Sequence, residues 1–168
     1  WKIGAWDIQQ WSHRDKDYMA WFEEGRKSMA AGNKMKAFAE FDIAVKLVEN
    51  SKFVEVDDLA NLRKSRDDAM NADDWRKAIV EAIKDRDPIH VGTLLAEDGI
   101  GVIVRIRLSE EKSTVALKQL CEGVGKRITQ EPWYKGMGGV RCSFVIKGED
   151  ESKEGALGGL FYPIEDLR

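Results

Sequence analysis

Apolar and polar positions change period once along this chain. Up to about residue 86 the apolar residues recur at steps of three and four, and from residue 90 they alternate or run together. Residues 15–31 and 34–50 predict two helices. In the second, Met35, Phe38, Phe41, Ala44, Val45 and Val48 form one stripe. Asp15 or Asp17 is placed to cap the first. The turn AAGN at 30–33 separates the pair, with Gly32 suited to a left-handed C-cap position and Asn33 to the next N-cap. After a loop at 51–56, a third helix is expected at 57–70 with Leu59, Leu62 and Met70 inward. A fourth is expected at 73–86 with Trp75, Ile79, Ala82 and Ile83 inward, capped by Asp73 or Asp74 and closed by Pro88. Trp1, Trp6 and Trp11 stand five apart, a spacing that fits neither a helix face nor a strand face. Residues 1–12 therefore read as an irregularly packed arm.

The second half reads differently. HVGTLL at 90–95 and GVIVRIRL at 101–108 flank AEDGIG, which predicts a β-hairpin. Ser109 is placed to cap a helix at about 110–128, whose inner face takes Val115, Leu117, Leu120, Cys121, Val124 and Ile128. Beyond the loop EPWYKGMGG, Val140, Cys142, Phe144 and Ile146 alternate with Arg141, Ser143, Val145 and Lys147, as in a strand. The acidic stretch GEDESKEG leads to LFY at 160–162, a last short strand. The expected fold class is α+β. A Trp-rich arm (1–12) precedes a helical domain (13–87) and a small α+β domain (88–168), the latter an antiparallel or mixed sheet with one long helix. No Pro- or Gly-rich linker divides them, so the two halves are expected to pack together.

Composition narrows the function classes. The net charge is −3, with 27 basic and 30 acidic residues interspersed, which argues against a nucleic-acid binder built on bulk positive charge. The balance varies locally: residues 88–147 carry 9 basic and 6 acidic groups, and 148–168 carry 2 and 6. No apolar run approaches the roughly 18–20 residues that span a bilayer. No signal-peptide pattern opens the chain, and its start at Trp1 fits either a processed mature form or a chain with further residues before it. Cys121 and Cys142 are too few for a disulfide framework or a zinc cluster and are expected to be buried, reduced thiols.

The intervals in WFEEGRKSMAAGNKMKAFAEFDIA, residues 21–44, have a packing logic. Gly25 lets a second helix approach the first, Ala37 and Ala44 keep the crossing tight, and Trp21 and Phe41 fill the space around it. Trp21, Gly25, Gly32, Ala37, Phe41 and Ala44 resemble the framework of the tetratricopeptide repeat, a helix–turn–helix unit of about 34 residues. The resemblance covers residues 18–51. Ser28 stands where that family has Tyr, Glu24 where it has an apolar residue, and Glu49 where it has Pro. It implies a non-catalytic scaffold or accessory subunit that binds other proteins within a larger assembly; scaffold-like features without chemistry, in a chain starting at Trp1, suit an organellar or membrane-associated complex. It also implies carboxylate-binding lysines on a concave face, for which Lys27 and Lys34 are available. Trp1, Trp6, Trp11, Trp133 and Tyr134 complete the expected partner contacts.

Catalytic patterns are missing. GVGKR at 123–127 lacks the first Gly and the Ser or Thr of a phosphate-binding loop, and it ends a helix instead of opening one. His13 and His90 form no metal-ligand spacing with each other or with Cys. The paired carboxylates Asp67, Asp68, Asp73 and Asp74 flank helix ends. No cofactor or metal is implied. Two rival readings stay open. The glycines of KGMGGV and EGALGGL favour a small-ligand or enzymatic α+β domain. A sheet face with Arg105, Arg107, Arg141 and Lys147, next to Trp133 and Tyr134, favours single-stranded RNA, although the exposed aromatic signature of such sheets is missing.

Overall fold

The computed structural model describes residues 12–13, 16–49, 59–96, 99–135, 137–147 and 160–163. The fold is α+β, in two compact units that divide between Trp75 and Arg76. That division falls inside a helix, twelve residues before the expected boundary at 87.

In the first unit, Ser12–His13 (β1) and Lys16–Asp17 (β2) form a short antiparallel ladder. Helices Tyr18–Ala30 (α1), Lys34–Glu49 (α2) and Leu59–Ala69 (α3) follow. Asp17 caps α1 by accepting from the Ala20 N–H at 2.8 Å. Gly32 adopts φ +76°, the left-handed turn that the AAGN pattern called for. Asn33 then caps α2, its Oδ1 accepting from the Lys36 N–H at 3.2 Å. The core between α2 and α3 is Val45, Val48 and Leu62, with Tyr18, Phe22 and Leu59 packed against it. Helix Ala72–Ala82 (α4) begins in this unit, where Trp75 stacks on Phe38 with ring centroids 5.4 Å apart. Its cap is Asn71, which accepts from the Asp73 N–H at 2.8 Å. Asp73 and Asp74, the expected caps, instead lie in the first turn, where the helix dipole favours them.

In the second unit, Pro88–Ala96 (β3), Gly99–Leu108 (β4), Gly139–Ile146 (β5) and Leu160–Pro163 (β6) form one mixed sheet in the order β3-β4-β5-β6. The β3–β4 and β5–β6 pairs are antiparallel. The β4–β5 pair is parallel and is joined by helix Thr114–Gln130 (α5). A parallel neighbour requires such a crossover. The sheet therefore has two distinct faces. Val102, Val104 and Ile106 on β4 pair with Val140, Cys142 and Phe144 on β5, and all six are buried on the α5 side. Ile103, Arg105 and Arg107 pair with Arg141, Ser143 and Val145 on the other side.

Two expectations about α5 and one about β5 change here. The helix starts four residues later than Ser109 implied, because Ser113 is the residue whose hydroxyl accepts the Ala116 N–H. The inner face is then Leu117, Cys121, Val124 and Ile128, and Val115, expected inside, is 65% exposed. Val145, expected on a polar face, is buried.

Cys121 and Cys142 are not thiols. They form a disulfide across a Cα–Cα distance of 5.7 Å. The reason is topological. Cys121 faces the sheet from α5, and β5 is the strand that α5 feeds and packs on, so residues 21 apart in sequence become neighbours.

Candidate interaction surfaces

The α1–α2 pair crosses closely. A Cβ built on Gly25 would lie 2.6 Å from two carbons of the Phe41 ring, so no other residue fits without displacing that ring. Trp21, Ala37, Phe41 and Ala44 are all buried in this contact, and Phe22 packs on Phe41 with centroids 5.3 Å apart.

A buried carboxylate lies in the same hairpin, and sequence reasoning passed over it. Glu40 is only 2% exposed and is raised above the ordinary carboxylate value of 4.5, chiefly because burial disfavours its charged form. The buried Ser28 hydroxyl donates to it, and Lys36 Nζ stands 3.6 Å from Oε1. Among the described residues, Glu40 Oε2 and Trp21 Nε1 are buried without hydrogen-bond partners. Ser28, small and hydroxylic, is thus a partner of this carboxylate. The sequence signal was available: Glu40 sits between Phe38 and Phe41 on the apolar stripe.

The linkage has a definite sign. A native carboxyl with a raised value binds more protons than the unfolded chain between about 4.5 and that raised value. Glu40 therefore makes stability fall as pH rises through this window and level off above it. Glu40→Gln removes that slope and is expected to raise neutral-pH stability by about 1 kcal/mol. Urea melts across the pH range check this; a slope unchanged in the variant would assign it to other groups.

A groove of about 390 Å³ opens beside the crossing, lined by Arg26, Met29 and Ala30 of α1, Phe41 of α2, and Ser65 and Asp68 of α3. Met19, one of the large apolar side chains left exposed, projects from the same helix at 47% exposure. The cation lining this groove is Arg26, whose Nη1 is itself paired with Glu23 Oε1 at 3.1 Å. Lys27 points elsewhere, to Glu24 at 3.0 Å, where with Lys16 it holds the Glu24 carboxyl below its usual range. Lys34 is exposed at the start of α2 and does not line the groove. The two lysines expected to bind a carboxylate are therefore not brought together there.

In the second unit, Trp133 and Tyr134 form an edge-on pair with centroids 6.0 Å apart, but they are not equivalent. Trp133 is half-buried. Tyr134, expected at an interface, is 1% exposed, and its hydroxyl donates to the Gly139 carbonyl at 2.5 Å. Burial raises its phenol well above the ordinary value of 10.0. It is a structural tie between the loop after α5 and β5. Tyr134→Phe leaves the buried Gly139 carbonyl without that donor and is expected to cost about 1–2 kcal/mol in a urea titration; a smaller loss would mean the carbonyl finds another donor.

Two glycines at the entry to β5 make contacts within the fold, and Gly136 lies outside the described residues. Gly138 N–H donates to the Ile100 carbonyl at 2.7 Å, and Gly139 accepts from Tyr134. Positions 154–159, the second glycine cluster, lie outside the described residues, as do Trp1, Trp6 and Trp11. On the outer sheet face, Arg105, Arg107 and Arg141 do come together, while Lys147 lies just past the end of β5. Among the described residues no cluster of His, Cys, Asp and Glu is arranged to hold a metal ion, and no helix is long and apolar enough to cross a membrane. Comparison with protein-family models, with curated proteins and with solved structures returns no match.

Proposed function

We propose that the chain is a non-catalytic interaction subunit whose α1–α2 hairpin is a tetratricopeptide-like unit, with the Arg26–Met29–Phe41 groove as its docking surface for another protein. The observation that carries this reading is the nesting of Gly25 on Phe41 beside an open, partly apolar groove with one cation at its edge. Aliphatic, aromatic and Arg side chains in that mixture favour a peptide or helix partner over a metabolite. One helical unit of this kind leaves apolar surface that a neighbour must cover.

The Cys121–Cys142 bond supports folding in an oxidising compartment, consistent with an accessory subunit outside the reducing cytosol.

Photo-crosslinking tests the surface. A photoreactive amino acid at position 29 is expected to give one discrete adduct in extracts of the source cells. The same probe at exposed position 110 should give none, and Arg26→Glu should abolish the adduct from position 29. Equal labelling from both positions would remove the groove from consideration.

A further inference from the structure

The outward face of α1 carries two pairs of side chains centred on one point. Met19, Phe22, Glu23, Arg26, Met29 and Ala30 recur at steps of three and four, so they share one side of the helix, away from the buried Trp21, Gly25 and Ser28. Met19, Glu23, Arg26 and Ala30 are exposed, and Phe22 and Met29 are half-buried beside them. Glu23 and Arg26 form an ion pair within the helix at 3.1 Å. They lie equally far on either side of the midpoint between positions 24 and 25, and so do Met19 and Ala30. Of that second pair, Met19 is a long apolar side chain in solvent, and Ala30 is a small residue lining the groove of about 390 Å³.

We infer that the occupant of the groove is a second copy of this chain, docked α1 against α1 in antiparallel fashion about a twofold axis through that midpoint. The inference rests on the reading of the groove as a docking surface and names its partner. A twofold contact places residue i against residue j, and j against i. Glu23 then meets the partner's Arg26, and Arg26 meets the partner's Glu23. The pair within each helix is kept and becomes a ring of four alternating charges, so no guanidinium gives up its carboxylate. Met19 meets the partner's Ala30. That short side chain leaves room for the thioether to enter the groove against Met29 and Phe41. Symmetry repeats the insertion on the other side of the axis. An unrelated partner would need no pairing of opposite charges, and of large with small, about one centre. A net charge of −3 is low enough for two copies to approach. One helix of 13 residues makes a small interface. The complex is therefore expected to be weak, with a Kd of roughly 10–100 µM.

Sedimentation velocity on the whole, disulfide-bonded chain tests it over about 5–300 µM. A monomer–dimer equilibrium is expected. Arg26→Glu alone and Glu23→Arg alone each set like charges across the axis and should weaken dimerisation at least about tenfold. Mixed in equal amounts, the two variants should recover it, because each supplies the charges that the other lacks. Met19→Ala should weaken it about tenfold. Melting curves like the parent's establish that the variants fold. A parent that stays monomeric across this range would overturn the inference, as would a mixture that associates no better than either variant alone. The photoreactive probe at position 29 keeps this inference apart from the groove reading. On the purified chain it should give an adduct of twice the chain's mass. A monomeric chain whose probe captures a different protein from extracts would overturn the second copy and leave the groove as a docking surface.

Discussion

Valine at position 25 is expected to cost the helical unit about 3 kcal/mol or more. Even the Cβ alone would sit 2.6 Å from two ring carbons of Phe41. That ring is buried and packed on Phe22, so it cannot swing aside without opening the α1–α2 contact. Alanine is the informative comparison. In an exposed helix interior, Gly→Ala gains about 1 kcal/mol from helix propensity. Here the steric cost exceeds that gain, and a net loss of about 1–2 kcal/mol is expected. The mechanism makes a second demand. If the clash with Phe41 is the cause, shrinking the ring must relieve it. Gly25→Ala combined with Phe41→Leu should therefore cost less than the two single changes added together. Chemical denaturation followed by far-UV circular dichroism measures all four species. A stabilised Gly25→Ala variant, or strictly additive losses, would show that the helices are not nested as described.

Loss of the Cys121–Cys142 bond is expected to lower stability by about 3 kcal/mol through the closed loop of 21 residues. For a chain of this size that is a fall in Tm of roughly 6–12 °C. Both cysteines are fully buried between α5 and β5. Reductant should therefore leave the native protein oxidised and act quickly only once the α+β unit unfolds. Thiol counting after exposure to reductant, with and without urea, checks accessibility. Thermal melts of the Cys121→Ala/Cys142→Ala variant check the magnitude. Two free thiols in the purified, never-reduced protein would sink this prediction and the compartment argument with it.

Local signals placed most of the elements. The three- and four-residue spacing in α2, the AAGN turn and the Asp17 and Asn33 caps act within one or two turns of chain, so they are legible without a partner in view. The caps of α4 and α5 were misplaced because several Ser, Asn and Asp residues compete at each start, and only the path of the backbone selects Asn71 and Ser113. The nesting of Gly25 on Phe41 was readable because both residues belong to a hairpin with a short turn, where register follows from the sequence. The candidate surfaces were less so. Lys27 looked available on a helix face, yet Glu24 one turn away takes it. Tyr134 looked like an anchor next to Trp133, yet the turn it occupies aims its hydroxyl at the Gly139 carbonyl.

By itself, then, the order of residues determined the helical hairpin, the switch from helical to strand period and the α+β class, because hydrophobic period and capping chemistry act over a few neighbouring residues. Only the tertiary structure decided that β4 and β5 run parallel, that Cys121 meets Cys142, that Glu40 is sealed beside Ser28, and that Arg105, Arg107 and Arg141 share one face. Each of these depends on which distant segment comes alongside. Strand pairing and helix packing settle that choice through burial summed over whole elements, and no single residue announces it.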